Sequence, residues 1–122
     1  MIVLDTNIVI LYIKNDREVV QWLKGQRSKG ELFCISTITV VELLGYPKIS
    51  AEEAVLIEIW MRRISTIDLD LSIAREAARL RRELKLRASD AVIAATAVLL
   101  HSSVATRDMA FKKIRDIKVL VP

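Results

Sequence analysis

Two runs of the chain, Ile2-Val3-Leu4 and Leu32-Phe33-Cys34-Ile35, are apolar with no polar alternation. A strand with one wet face alternates polar and apolar residues. A strand without alternation is covered on both faces, the usual condition of a parallel sheet lined by helices. Three further short runs, Ile64–Ile67, Ser103-Val104-Ala105 and Lys118–Val121, bring the expected strands to five. Helical patterns fill the intervals. Asp16 is expected to cap a helix that carries Val19, Val20 and Leu23 and stops near Gly25. Ser36 or Thr37 opens a helix that ends at Gly45, with Pro47 beyond it. Ser50 and Glu53 have capping-box spacing. Asp70 caps a helix whose Ile73, Ala77, Leu80 and Leu84 share one face. Another helix runs from near Ser89 to about His101, and a last short one follows Arg107-Asp108. Strands alternating with helices give right-handed crossovers. The expected fold is therefore α/β: a three-layer α/β/α sandwich around a five-stranded, mainly parallel sheet. No linker, repeat or low-complexity stretch divides it, so residues 1–122 read as a single domain.

Composition removes several chemistries. The chain is 52% hydrophobic and 28% charged, which suits a buried core and not a disordered segment. Gly25, Gly30 and Gly45 are too scattered to form a phosphate-cradling loop. With Cys34 and His101 each alone of its kind, one chain builds neither a disulfide framework nor a Cys/His zinc cluster. Cys34, inside an apolar run, reads as a core residue suited to a reducing compartment, and His101 as a helix C-terminal cap and not a general base. The near-apolar run Ala91–Leu100 is about half the roughly 20 residues of a bilayer span, and Thr96 interrupts it. Met1 leads directly into Ile2-Val3-Leu4 with no basic stretch, so neither a leader nor a membrane segment is expected, and the default compartment is the cytoplasm. A net charge of +4 is compatible with a polyanionic partner.

Ligands of open α/β sheets bind beyond the carboxyl ends of the strands, so the polar residues at that rim carry the functional signal. Asp5 ends the first strand, in Asp5-Thr6-Asn7, and Asp108 follows the fourth, in Thr106-Arg107-Asp108. Asp90 lies in the first turn of the Ala-rich helix, where a helix N-terminus favours negative charge. Glu42 lies among Val40, Val41, Leu43 and Leu44 in the helix after the second strand. Singly, each has an ordinary use. Asp5, Asp90 and Asp108 can be caps, Glu42 a solvated residue, and Thr6, Asn7, Ser36 and Thr106 turn or cap residues. Asp68 and Asp70 read as loop and cap. Jointly, four carboxylates converging on one rim repel one another unless a divalent cation neutralises them. Mg²⁺ and Mn²⁺ accept such oxygen ligands, and they support hydrolytic phosphoryl transfer.

Four segments, in this order and at these distances, carry a resemblance: Ile2-Val3-Leu4-Asp5-Thr6-Asn7, Ser36 to Glu42-Leu43, Asp90-Ala91-Val92-Ile93-Ala94-Ala95-Thr96-Ala97, and Thr106-Arg107-Asp108-Met109-Ala110-Phe111. Together they resemble PIN-domain ribonucleases, specifically the VapC-type toxins of prokaryotic toxin–antitoxin pairs, over essentially the whole chain. The resemblance implies an acidic site at the carboxyl edge of a parallel sheet, with Asp5, Glu42, Asp90 and Asp108 as its metal-binding and catalytic acids. Asp5 would bind Mg²⁺ or Mn²⁺ directly, with Asp90 and Asp108 as direct or water-mediated ligands, and Glu42 would position or deprotonate the attacking water. Thr6, Asn7 and Thr106 match positions that orient those acids or a water, and Ser36 a position that often carries a hydroxyl. It further implies endoribonuclease activity leaving 5′-phosphate and 3′-hydroxyl ends, a homodimer, and inhibition by a small VapB-like antitoxin that offers Arg to the acids. One position departs: Ala110 stands where many relatives carry an acid before the Phe, so a second metal would be held weakly or not at all.

Basic residues gather in Arg75, Arg79, Arg81, Arg82, Lys85 and Arg87, and again in Arg107, Lys112, Lys113 and Arg115. Arg82, Arg87 and Arg107 are the candidates for contact with RNA phosphates. Trp22, Trp60, Tyr12 and Tyr46 read as core or interface residues. A receiver domain would need a second early acid beside Asp5, and a haloacid-dehalogenase phosphatase an Asp where Asn7 stands. The remaining alternative is a catalytically inactive PIN-like module that binds RNA or protein.

Overall fold

A computed structural model describes residues Met1–Pro122. Strands β1 (Ile2–Leu4), β2 (Phe33–Ser36), β3 (Ser65–Ile67), β4 (Ser103–Ala105) and β5 (Val119–Leu120) form one sheet in the order β3-β2-β1-β4-β5. Every pairing is parallel, with Val3 opposite both Cys34 and Val104, so the sheet is wholly parallel and not merely mainly so. Helices α1 (Thr6–Ile13), α2 (Arg17–Ser28), α3 (Thr37–Leu44), α4 (Ala51–Met61), α5 (Leu71–Leu84) and α6 (Ala88–Leu99) and a short 3₁₀ helix (Met109–Lys113) occupy the connections.

The two-residue period of the strands sorts the core into two halves. Val3, Cys34 and Val104 face α5 and α6, where Ile73, Ala77, Leu80, Ile93, Ala94 and the fully enclosed Phe111 pack against them. Ile2, Leu4, Ile35 and Ala105 face the other way, onto Ile8 and Val9 of α1, Val19 and Leu23 of α2, Leu43 of α3 and Ile57 of α4. Three layers follow directly, and both faces of β1 are covered as its composition requires. Cys34 is buried in the first half-core, and burial pushes its thiol up to about 11. Tyr12 and Trp60 pack as a tilted pair at 6.3 Å in the second, while Tyr46 is exposed.

The expected caps are present: Asp16 accepts from the Val19 amide, Ser36 from Ile38, Ser50 from Glu53 and Asp70 from Ile73. Two boundaries differ. Helix α2 continues past Gly25 to Ser28, since one interior glycine costs only about 1 kcal/mol relative to alanine; Gly30, at φ 85°, makes the turn instead. Helix α6 starts at Ala88 and ends at Leu99, and His101, at φ 50°, closes it by donating its amide to the Val98 carbonyl. Gly45 ends α3 as expected, and a Cβ there would run into the Val41 carbonyl oxygen. No helix is long and apolar enough to cross a membrane.

The central place of β1 is what positions the polar rim. Asp5 extends the ladder by donating its amide to the Ala105 carbonyl at 3.0 Å, so the chain leaving β1 emerges beside the chain leaving β4. Helix α3 leaves the adjacent β2, and α6 packs across β1, β2 and β4. The segments carrying Asp5, Glu42, Asp90 and Asp108 are therefore neighbours although far apart in sequence.

Candidate active site

At the carboxyl edge of the sheet lies a cavity of about 250 Å³, lined by Asp5, Thr6, Asn7, Ile10, Glu42, Arg87, Ser89, Asp90 and Asp108. All four acids named from the sequence are in it, and Ile10 is its one hydrophobic wall. A larger groove of about 660 Å³ lies at the opposite edge, where Met1, Leu32 and Ile64 precede their strands. It holds none of these acids.

Each acid is held by a different local device. Asp5 precedes α1 but its side chain makes no cap bond to the helix. Instead its Oδ2 accepts from the Thr106 hydroxyl at 2.7 Å. Thr106 is fully buried, and the same hydroxyl accepts the Asp108 amide at 2.9 Å, joining the two acids through one oxygen. Asp108 caps the 3₁₀ helix, its Oδ1 accepting from the Ala110 amide, so its cap reading and its place in the cavity are both real. Asp90 lies half-buried in the first turn of α6. Glu42 is exposed on α3, yet its Oε1 accepts from the Thr6 hydroxyl at 2.7 Å.

Ser36 is the one supporting residue absent from the cavity besides Thr106; it is buried and caps α3. Asn7 is exposed and lines the cavity. Thr39 was not singled out in the sequence. It is fully buried, and its hydroxyl lies 3.1 Å from that of Thr6. Its place three residues before Glu42, on the same side of a helix, was the only sequence signal for it.

The electrostatics are those of crowded, partly dehydrated carboxylates. Asp5, 3% exposed, has its pKa raised from 3.8 to about 6. Burial is the main cause; Asp90 and Glu42 add to it, while the Thr106 hydroxyl and the Thr6 amide oppose it. Asp90 is also raised, first by burial and then by Asp108, with Arg87 opposing and Glu42 adding. No three acids are drawn together at ligand distance around one point. The donor set still fits a hard divalent cation. It is all oxygen, Arg87 is the one cation set against its four carboxylates, and Mg²⁺ ordinarily takes one or two carboxylates directly and keeps its waters.

Of the three arginines named from the sequence, only Arg87 lines the cavity, its side chain 85% exposed and 4.0 Å from Asp90. Arg107 is engaged elsewhere: Nε donates to the Pro122 carbonyl at 3.0 Å and Nη2 to Glu18 at 3.2 Å, with Asp16 at 3.7 Å. Arg82 is exposed on α5. Arg79, counted among the basic cluster, is bonded to Glu76, Glu83 and Asp116.

The model of the PIN domain family matches residues 2–117. None of the curated proteins compared with the chain matches it. Solved structures do. A toxin–antitoxin complex from Klebsiella pneumoniae is 30% identical, with a TM-score of 0.83 over 98% of this chain and 96% of that one. DNA-bound VapBC from Salmonella typhimurium is 28% identical, with a TM-score of 0.84 over the same shares. VapBC2 from Rickettsia felis, bound to a DNA fragment from the promoter, is 24% identical, with a TM-score of 0.86 over 100% and 99%.

Proposed function

Because the chain belongs to the PIN-domain family, we propose that it is a metal-dependent endoribonuclease and the toxin of a toxin–antitoxin pair. The observation that carries this reading is the single small cavity lined by Asp5, Glu42, Asp90 and Asp108, with Asp5 buried against its electrostatic preference. Perturbed carboxylates in a polar cleft mark functional sites. Mg²⁺ or Mn²⁺ would be held by Asp5, with Asp90 and Asp108 as direct or water-mediated partners, and would supply a Lewis-acidic centre for phosphoryl transfer. Glu42, fixed by Thr6, orients the attacking water and takes its proton. Thr106 holds Asp5 and Asp108 in register. Arg87, at the mouth of the cavity, meets a phosphate of the RNA. In-line hydrolysis by water leaves 5′-phosphate and 3′-hydroxyl ends.

The similarity to solved toxin–antitoxin complexes supports a VapB-like antitoxin as partner. A cationic side chain of such a partner would neutralise the same acids that a metal does. We also propose that the chain acts as a homodimer in the cytoplasm. In the test, protein freed of any antitoxin is incubated with total cellular RNA. Discrete fragments with 5′-phosphate ends are expected with Mg²⁺ or Mn²⁺ and none with EDTA. RNA that is bound but stays intact under every metal condition would overturn the enzyme and leave the binding module.

The two arginines are expected to separate in the same assay. Arg87→Ala should weaken cleavage several-fold and reduce the slope of log rate against log salt by about one, as for a lost phosphate contact. Arg107→Ala should leave that slope unchanged and lower the melting temperature instead, because its partners are Glu18, Asp16 and Pro122. Equal salt slopes for both variants would remove Arg87 from the substrate path.

A further inference from the structure

The hydroxyls of Thr39 and Thr6 and the carboxylate of Glu42 form a chain: Thr39 Oγ1 to Thr6 Oγ1 at 3.1 Å, and Thr6 Oγ1 to Glu42 Oε1 at 2.7 Å. A hydroxyl has one proton, and an ionised carboxylate can only accept. The Thr6 proton therefore goes to Glu42, the shorter contact, and Thr39 donates to Thr6. Thr39 is fully buried and Thr6 is 6% exposed, so water has little access to the bond between them. Glu42 itself is exposed. The Thr6 bond is the one hydrogen bond that its side chain makes within the chain, so nothing else ties its carboxylate down. An exposed glutamate has three free side-chain torsions and loses a large share of its rotamer freedom when held.

We propose that Thr39 is a positioning residue: it fixes the Thr6 hydroxyl so that Thr6 donates to Glu42 and aims that carboxylate into the cavity. The proposal rests on the nuclease reading for its catalytic consequence, but not for the geometry. Donation from Thr39 polarises the Thr6 hydroxyl and strengthens the bond it makes, as in other buried hydrogen-bond chains. Thr39 and Glu42 lie on one helix, so α3 carries both the group being aimed and the group that starts the chain aiming it. Thr6, on α1, is the link between them. No buried side-chain polar atom in the structure lacks a partner, so this network is complete as it stands.

The test compares Thr39→Val, which keeps the shape and removes the hydroxyl, with Thr39→Ser, which keeps the hydroxyl. Crystal structures of the wild-type chain and of Thr39→Val are expected to show Glu42 on Thr6 in the first and released in the second. With total cellular RNA as the probe, Thr39→Val should cleave about tenfold more slowly at saturating RNA, with its dependence on RNA concentration unchanged. Thr39→Ser should recover most of the rate. Glu42 unmoved in Thr39→Val would overturn the proposal. So would full activity with Glu42 released, or a loss that Thr39→Ser fails to recover. If the wild-type chain cleaves no RNA yet Glu42 moves as expected, the nuclease reading fails and the positioning role stands.

Discussion

Asp5→Asn is expected to abolish cleavage and, at pH 7.5 without metal, to raise the melting temperature. The two effects have one cause. Asp5 is 3% exposed and its pKa in the fold is about 6, against an ordinary 3.8. A carboxyl raised in this way stabilises the fold fully below the lower value, and that contribution is lost as pH rises through the higher one. At pH 7.5 the ionised group therefore burdens the metal-free fold by up to about 3 kcal/mol. Asparagine cannot ionise, and it still offers an oxygen to the Thr106 hydroxyl. The expected gain is on the order of 5–10 °C. It should shrink steadily as the pH is lowered from 6 and close only below about 3.8, where the wild-type carboxyl is protonated in both states. Mg²⁺ should raise the wild-type melting temperature and leave the variant's nearly unchanged. Thermal melts across pH 3–8, with and without Mg²⁺, check all three. A variant that melts lower than wild type at pH 7.5 would show that the burial of Asp5 is not a burden on the fold.

Thr106→Val works in the opposite direction. The buried hydroxyl donates to Asp5 and accepts from the Asp108 amide, so its removal strips one partner from each acid's segment. Valine fills the same space, so no cavity term enters. A lost hydrogen bond to a charged group, together with an unsatisfied amide, amounts to about 2–4 kcal/mol. The hydrogen bond from Thr106 favours the ionised Asp5 and so opposes the rise that burial causes. Without it the carboxyl rises further, and the cost should be greatest above pH 6 and shrink on acidification. Cleavage should fall at least tenfold, because Asp5 and Asp108 no longer share a fixed oxygen. A stability loss of equal size at pH 4.5 and pH 7.5 would mean that Thr106 acts on the fold and not through Asp5.

Much of this site was legible before the structure, and for identifiable reasons. β1 and β2 declared themselves because both their faces are covered, and the acids that follow such strands fall at one rim. Ser36, Ser50 and Asp70 marked helix starts because a side-chain oxygen three or so residues before an apolar pattern has one common use. What stayed hidden was long-range or ambiguous. Helix α1 has the unbroken apolar run Ile8-Val9-Ile10-Leu11-Tyr12-Ile13, which periodicity cannot tell from a strand. Arg107 sits within the fourth segment of the resemblance, but Glu18, the acid that engages it, lies 89 residues away. Thr39 stands between Ile38 and Val40 and reads as one more β-branched core residue until its hydroxyl is seen against Thr6.

The central position of β1 also has a consequence in time. Of the five strands, β1 is made before the others yet is flanked in the sheet by β2 and by β4, and the bond that ties Asp5 to Thr106 spans 101 residues. A nascent chain holding only the first three strands has Asp5 and Glu42 but neither Thr106, Asp108 nor the β4 edge on which Asp5 rests. The acidic site cannot assemble stepwise as the chain emerges; it appears late, when long-range pairing closes the sheet. For a protein proposed to cut RNA, the nascent chain is then harmless to the ribosome-bound messenger that encodes it until the β4 segment with Thr106 and Asp108 has been made.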